Sequence, residues 1–184
     1  MSVVVRPAVV EDGASLGRVH VQAWQAAYQG IMPQGYLDGL DPAQRGEQWR
    51  RRLAAPDPQT PTLVATVDGQ IAGFASYGPA RITGPAGARP VQQAAGELYA
   101  INVRPDHWQR GVGRALLTAA TAGLAERGFD RAVLWVAAGN QRARAVYEHY
   151  GWQPDGSART EEVFGVTVDE VRYHRPVPPP APAG

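Results

Sequence analysis

Apolar residues recur at two different periods along the chain, and the switches between those periods mark its elements. Val3 to Arg6 is a β-branched run stopped by Pro7, which predicts a first strand or a sheet edge. From Leu16 the period lengthens: Val19, His20, Ala23, Trp24, Ala27 and Tyr28 fall on one helical face until Gly30 and Pro33 end the pattern. Asp41-Pro42 has N-cap and first-turn chemistry, and Trp49 with Leu53 carries a weaker second helix that must stop before Pro56 and Pro58. Thr62 to Val67, the turn Asp68-Gly69, and Gln70 to Tyr77 read as a hairpin.

Residues 78–96 are rich in Gly and Pro with little periodicity, and they predict a long loop able to close over a site. Glu97 to Val103 alternates into a strand ended by Arg104-Pro105-Asp106. Val112, Ala115, Leu116, Ala119, Ala120 and Leu124 then make a helical face that closes at Gly128. Ala132 to Ala137 is a continuous apolar run, as expected of a central strand covered on both faces. Strand, helix, strand implies a parallel pair with a right-handed crossover. Asn140 opens another helix with Ala143, Val146, Tyr147 and Tyr150 on one face, closed by Gly151. Trp152 onward and Thr167 to His174 read as two final antiparallel strands. One domain over residues 1–176 is expected, followed by a disordered Pro- and Ala-rich tail at 177–184.

Composition narrows the chemistry. The 184 residues suffice for one core, and 18 Lys plus Arg against 17 Asp plus Glu leave a net charge of +1. No global field therefore favours nucleic acid or an anionic membrane, and neither is expected as a partner. The absence of Cys excludes disulfides, thiolate metal ligands and a cysteine nucleophile. His107 and His149 have no second ligand at metal spacing, so no metal is assigned. The opening residues lack a charged leader followed by a long apolar run, which makes a soluble cytoplasmic protein the expectation.

Anion binding must then be local, and one turn invites it. Between the strand ending at Val103 and the helix beginning near Gly113 lies Gln109-Arg110-Gly111-Val112-Gly113-Arg114. Unpaired backbone N–H groups at a helix N-terminus favour an anion; Gly111 and Gly113 let the backbone approach it, and Arg110 and Arg114 add charge at the rim. A tight turn that needs glycine only for its dihedrals remains the other reading. A P-loop would need Gly-Lys-Ser/Thr, and a dinucleotide fingerprint would need Gly or Ala where Leu116 stands, so both fail.

The turn resembles the acetyl-CoA pyrophosphate motif of the GNAT superfamily of N-acetyltransferases: Arg or Gln, two variable residues, Gly, one variable residue, then Gly or Ala. Gly111 and Gly113 match it, while Trp108 replaces the first Arg or Gln and Gln109 stands beside it. Asn140, Ala143, Val146-Tyr147 and Gly151-Trp152 resemble the downstream helix of the same family. The resemblance implies a mixed, mostly antiparallel central sheet with helices on both faces and a splayed parallel strand pair at the cofactor site. It implies acetyl-CoA or coenzyme A as co-substrate, bound by Ile101, Val103, the turn from Gln109 to Arg114, and Asn140. It also implies transfer of the acetyl group to a primary amine on a small molecule or peptide, with a homodimer allowed for.

In such enzymes the attacking amine must be neutral, yet an amine of pKa about 10.4 is neutral only about once in a few thousand molecules at pH 7. Glu97 matches the family's glutamate base, its pKa expected to be raised by apolar neighbours such as Leu98 and Trp135. A solvated carboxylate at a strand start fits the same position. Tyr147 matches the tyrosine that assists the departing thiolate, and a core aromatic would occupy the same place. The Ile101 N–H would polarise the thioester carbonyl. Direct attack in a ternary complex is expected, because no cysteine can carry the acyl group. His20, Trp24 and Tyr28 share the face where the family often builds its acceptor pocket, although an aromatic stripe at this spacing serves equally as core. Two other classes stay open: acetylation of a protein N-terminus, and a CoA-binding sensor without catalysis.

Overall fold

A computed structural model of the chain describes residues 2–81, 95–163 and 165–177. The hairpin is built as its turn demands: Thr62–Val67 (β2) and Gln70–Pro79 (β3) are joined through Asp68 and Gly69, whose φ values of 49° and 77° match a two-residue hairpin turn. Val3–Pro7 (β1) pairs antiparallel outside β2, and Gly96–Val103 (β4) pairs antiparallel on the other side of β3. Arg131–Ala137 (β5), Gln153–Val163 (β6) and Val166–Pro176 (β7) complete one seven-stranded sheet in the order β1-β2-β3-β4-β5-β7-β6. The fold is the mixed, mostly antiparallel sheet expected from the sequence, and its parallel pair is β4 with β5.

Among the described residues, five α-helices cover the two faces. Gly13–Ala27 (α1) and Pro42–Ala54 (α3) pack together over β2 and β3, around Leu16, Val19, Trp49, Val64 and Phe74. They approach closely because both carry glycine at the crossing: a Cβ on Gly17 would lie 2.4 Å from the Gly46 nitrogen. Asp41 caps α3 by accepting the Ala43 N–H at 2.8 Å, with Pro42 in the first turn. Gln34–Asp38 (α2) is a five-residue helix that sequence periodicity does not announce, because it is too short to repeat. On the opposite face, Val112–Glu126 (α4) buries Leu116, Leu117, Ala120 and Leu124 against the largest core cluster. Gln141–His149 (α5) adds Tyr147 to the same cluster.

The long loop expected at 78–96 begins later than the sequence suggests, since β3 continues to Pro79, and residues 82–94 lie outside the described residues. In the expected tail, Val177 is 5 % exposed and its N–H donates to the Asp130 carbonyl at 2.8 Å. Residues 178–184 lie outside the described residues. No helix among the described residues is long and apolar enough to cross a membrane.

Candidate active site

The parallel contact between β4 and β5 is short. Gly96, Glu97 and Leu98 pair with Ala132, Val133 and Leu134, and there the ladder stops although both strands continue. Beyond it the strands splay, and β4 is left with one open edge. Register tells which groups that edge presents. The Arg104 N–H donates to the Ala72 carbonyl at 2.8 Å, which makes Asn102 and Phe74 the next hydrogen-bonded pair of the ladder with β3. Antiparallel alternation then turns the N–H and C=O of Ile101 and Val103 away from β3, into the opening. A cavity of about 1250 Å³ occupies this opening, and Ile101, Val103, Trp135 and Val136 all line it.

The glycine turn forms one end of that cavity. Gly111 caps α4 with φ of 82°, a conformation that side chains resist, and its carbonyl accepts the first helical hydrogen bond from the Ala115 N–H at 2.9 Å. Because helical pairing starts there, the N–H groups at the start of α4 are without helical partners and carry the positive end of its dipole. A Cβ on Gly113 would meet only Val103 Cγ2, at 3.9 Å, so its glycine leaves space in front of the backbone rather than relieving a clash. Gln109, Gly111, Gly113 and Arg114 line the cavity; Arg110 does not, and Val112 turns its side chain wholly into the core.

Trp108, where the sequence departs from the family pattern, has a definite task. Its indole N–H donates to the Val103 carbonyl at 2.9 Å, tying the turn to the open edge of β4. The Arg142 guanidinium sits over its ring at 3.7 Å from the centroid, which brings a second arginine to the turn from α5. Neither contact is legible in the spacing of motifs, since the first depends on how the chain doubles back and the second joins the turn to α5.

Asn140 and Tyr147 come from α5. Asn140 is 9 % exposed, lines the cavity and accepts the Ala143 N–H at 3.1 Å through Oδ1, so its remaining donor is the side-chain N–H₂. Tyr147 lines the cavity while packing against Trp152 and Tyr173, with ring centroids 6.2 and 6.3 Å away. No hydrogen bond from a described residue holds its hydroxyl, and burial, reinforced by nearby Tyr28, pushes the phenol above its ordinary value.

The first helix supplies the far wall. His20, Trp24 and Tyr28 all line the cavity, in a chain of rings with centroids 4.9 and 5.0 Å apart. His20 Nδ1 accepts from Trp49 Nε1 at 3.4 Å, and burial lowers its pKa to about 3, so the imidazole is neutral at pH 7. Burial, with Glu170 adding to it, pushes Tyr28 up to about 12.

Glu97 sits otherwise than expected. The Arg81 N–H donates to its Oε2 at 2.8 Å, and Arg81 Nε and Nη2 donate to Oε1 at 3.1 and 2.5 Å. Glu97 is 1 % exposed and does not line the cavity. The expectation of apolar neighbours governing this carboxylate is thus corrected: its decisive neighbour is a guanidinium, which the sequence could not pair with it across 16 residues.

Sequence reasoning also passed over the opposite wall, where Trp135, Arg159, Glu161 and Glu170 line the cavity. Arg159 lies 4.3 Å from the Trp135 centroid and donates through Nε to Glu170 Oε2 at 2.8 Å. The available signal was alternation: Val168, Glu170 and Arg172 share one face of β7, and charges at period two on a half-covered face merit a partner.

Comparison with known proteins agrees with this architecture. Residues 21–152 match the model of the Acetyltransferase (GNAT) family. The chain is 30 % identical over 170 residues to the uncharacterized N-acetyltransferase YuaI of Bacillus subtilis, covering 92 % of this chain and 90 % of that one. Among solved structures it is similar to the PaiA N-acetyltransferase of Thermoplasma acidophilum in complex with coenzyme A, with a TM-score of 0.66, 19 % identity and coverage of 92 % and 98 % of the two chains. It is equally similar in fold to YncA of Salmonella typhimurium, a putative acetyltransferase with its cofactor acetyl-CoA, at TM-score 0.66, 18 % identity and coverage of 97 % and 95 %. A splayed parallel pair, a glycine-turned helix N-terminus at its mouth and a family match across most of the chain lead to one assignment: this chain belongs to the GNAT acetyltransferase family.

Proposed function

We propose that this protein transfers the acetyl group of acetyl-CoA to a primary amine within a ternary complex. The observation that carries the reading is the open edge of β4: Ile101 and Val103 turn their backbone groups away from β3, the Val103 carbonyl meeting the Trp108 indole, toward a cavity whose end is the α4 N-terminus. A pantetheine arm is a chain of amides, and an open strand edge is what such a chain can pair with. The helix N-terminus with Gly113 in front and Arg114 and Arg142 beside it suits the charge of a pyrophosphate. The coenzyme-A and acetyl-CoA complexes of similarly folded chains support the same donor.

When bound, acetyl-CoA would supply a thioester carbonyl to the splay. There the Ile101 N–H polarises it, Asn140 donates to the pantetheine arm through its N–H₂, and the Tyr147 hydroxyl, kept protonated by burial, donates to the leaving sulfur. His20, Trp24 and Tyr28 wall the acceptor end. Glu97 stands at the head of β4, where the resemblance puts a base, but Arg81 engages both of its oxygens, so it could take a proton only after Arg81 swings away. The absence of cysteine supports direct attack over an acyl-enzyme.

The test is a thiol-release assay with acetyl-CoA against a panel of spermidine, glucosamine, phenylalanine amide and an alanine-terminated peptide. Acetylated product from any of them supports the reading, and thiol release no faster than without protein contradicts it.

A further inference from the structure

Resting on that reading, we infer that Glu170, rather than Glu97, binds the acceptor's ammonium group and takes its proton. Four observations on the geometry carry this.

The first is level within the sheet. Leu98 pairs with Leu134 in the parallel ladder, and Tyr99 is an extra residue bulged out of the β3–β4 register, so Ile101 lies two register steps on, level with Val136 and one residue short of Ala137. Glu170 is the register partner of Ala137 on β7. Glu170 is therefore within one residue of the level of the N–H that would face a thioester carbonyl, whereas Glu97 lies three register steps back along β4, roughly 10 Å at the rise of an extended strand.

The second is face. Directly opposed residues of an antiparallel pair point to one side, and Ala137 packs with Met32, Leu37 and Val168 on the side of α1 and α2. That is the side of Trp24 and Tyr28, the acceptor wall, and Glu170 lines the cavity there.

The third is the use of its oxygens. Arg159 Nε and Nη2 both bind Glu170 Oε2, at 2.8 and 2.7 Å, and no hydrogen bond from a described residue engages Oε1. In Glu97 both oxygens are engaged. Arg159 thus fixes the Glu170 carboxylate without consuming it, and Trp135 stacks behind the guanidinium.

The fourth is company. The Glu170 side chain is 16 % exposed, so an ammonium there is largely withdrawn from water, with the Tyr28 ring beside it for cation–π contact. Glu161 lines the same wall 3.6 Å from Arg159, Glu162 lines it beyond, and Arg81 is the cation on the β4 side. The raised pKa of Tyr28 is consistent with a carboxylate next to it.

The step balances simply. The R–NH₃⁺ acceptor gives one proton to Glu170 Oε1, and the neutral amine's lone pair forms the N–C bond to the acetyl carbon while the C–S bond breaks. The second proton leaves the nitrogen as the amide forms. Of the two protons, one ends on the coenzyme A thiol and the other passes from Glu170 to solvent.

The experiment uses the full chain and the best acceptor from the four-compound panel. E170Q is expected to keep its affinity for coenzyme A within about twofold, since the glycine turn is untouched. It should lose at least a hundredfold in kcat/KM at pH 7, with the deficit shrinking as pH rises toward 10, where the free amine needs no base. A second reading avoids turnover: binding of that amine without acetyl-CoA, followed through tryptophan fluorescence at pH 7, should weaken at least tenfold. Should E170Q lose coenzyme A binding through misfolding, E170D keeps the ion pair and shortens the reach. A tenfold or greater loss of kcat in E170D then supports the inference, and native kcat overturns it. In a folded E170Q, kcat/KM and amine affinity within threefold of native at all pH values overturn it. Absence of transfer by the native chain would instead bring down the acetyltransferase reading on which it rests.

Discussion

The Trp108 indole N–H and the Val103 carbonyl meet at 2.9 Å, so the residue that breaks the family's motif is the one that fastens the glycine turn to the strand edge. A family Arg or Gln at this position would add a polar side chain to the turn; Trp108 holds it from behind and lends its ring to Arg142. Replacing Trp108 by Phe removes a hydrogen bond worth about 1 kcal/mol while keeping an aromatic face for the arginine. The expected result is coenzyme A binding weakened about fivefold with little change in melting temperature, measured by calorimetric titration.

Gly113 offers a sharper separation of stability from binding. It lies in the first turn of α4 with room for a methyl group, so Gly113→Ala should stabilise the fold by up to about 1 kcal/mol through helix propensity. The same methyl group would stand between backbone N–H and phosphate. A higher midpoint in urea together with at least tenfold weaker coenzyme A binding is the expected pair of results. Gly111→Ala should instead lower stability by about 1–2 kcal/mol, because φ of 82° is left-handed.

The sequence made the scaffold of this site readable and left its wiring hidden. Asp68-Gly69, the apolar run at 132–137 and the glycines at 111 and 113 announce hairpin, central strand and helix start because each is a local requirement of backbone geometry. Helix α2 escaped because five residues cannot display a period. The pairs Arg81–Glu97 and Arg159–Glu170 escaped for a different reason: each joins residues that only sheet register brings together, so no spacing rule applies. Motif position alone made Glu97 the candidate base, and motif position says nothing about which oxygens are already taken.

His20 predicts an acid-sensitive core. Its pKa is about 3 when folded against roughly 6.5 for a free imidazole, so the unfolded chain binds the extra proton between those values. Its contribution is complete above pH 6.5 and is lost as pH falls toward 3, with a limiting slope of about 1.4 kcal/mol per pH unit. In His20→Gln, stability from urea unfolding between pH 6.5 and 4.5 should fall less steeply than in the native chain; identical slopes would remove His20 as the cause.

Asp12 acts in a lower window. The Arg6 guanidinium donates to both its oxygens, at 2.7 and 2.8 Å, and holds the carboxyl below the usual carboxylate range. A depressed folded pKa means that this stability is present above the ordinary Asp value of about 3.9 and fades as pH falls below it. Because Arg6 is 40 % exposed, solvent screening limits the ion pair to about 1 kcal/mol. Asp12→Asn should cost that much at pH 7, with the difference from native vanishing in strong acid.

The central claim is that the open edge of β4 and the N-terminus of α4 together form the coenzyme A site. Backbone amide resonances followed by NMR during titration with coenzyme A test it directly. The amides of Ile101, Val103, Gly113 and Arg114 should shift in a saturable way, while those of β1, at the far edge of the sheet, stay in place. Unmoved signals at Ile101 and Gly113 in millimolar coenzyme A would contradict the account.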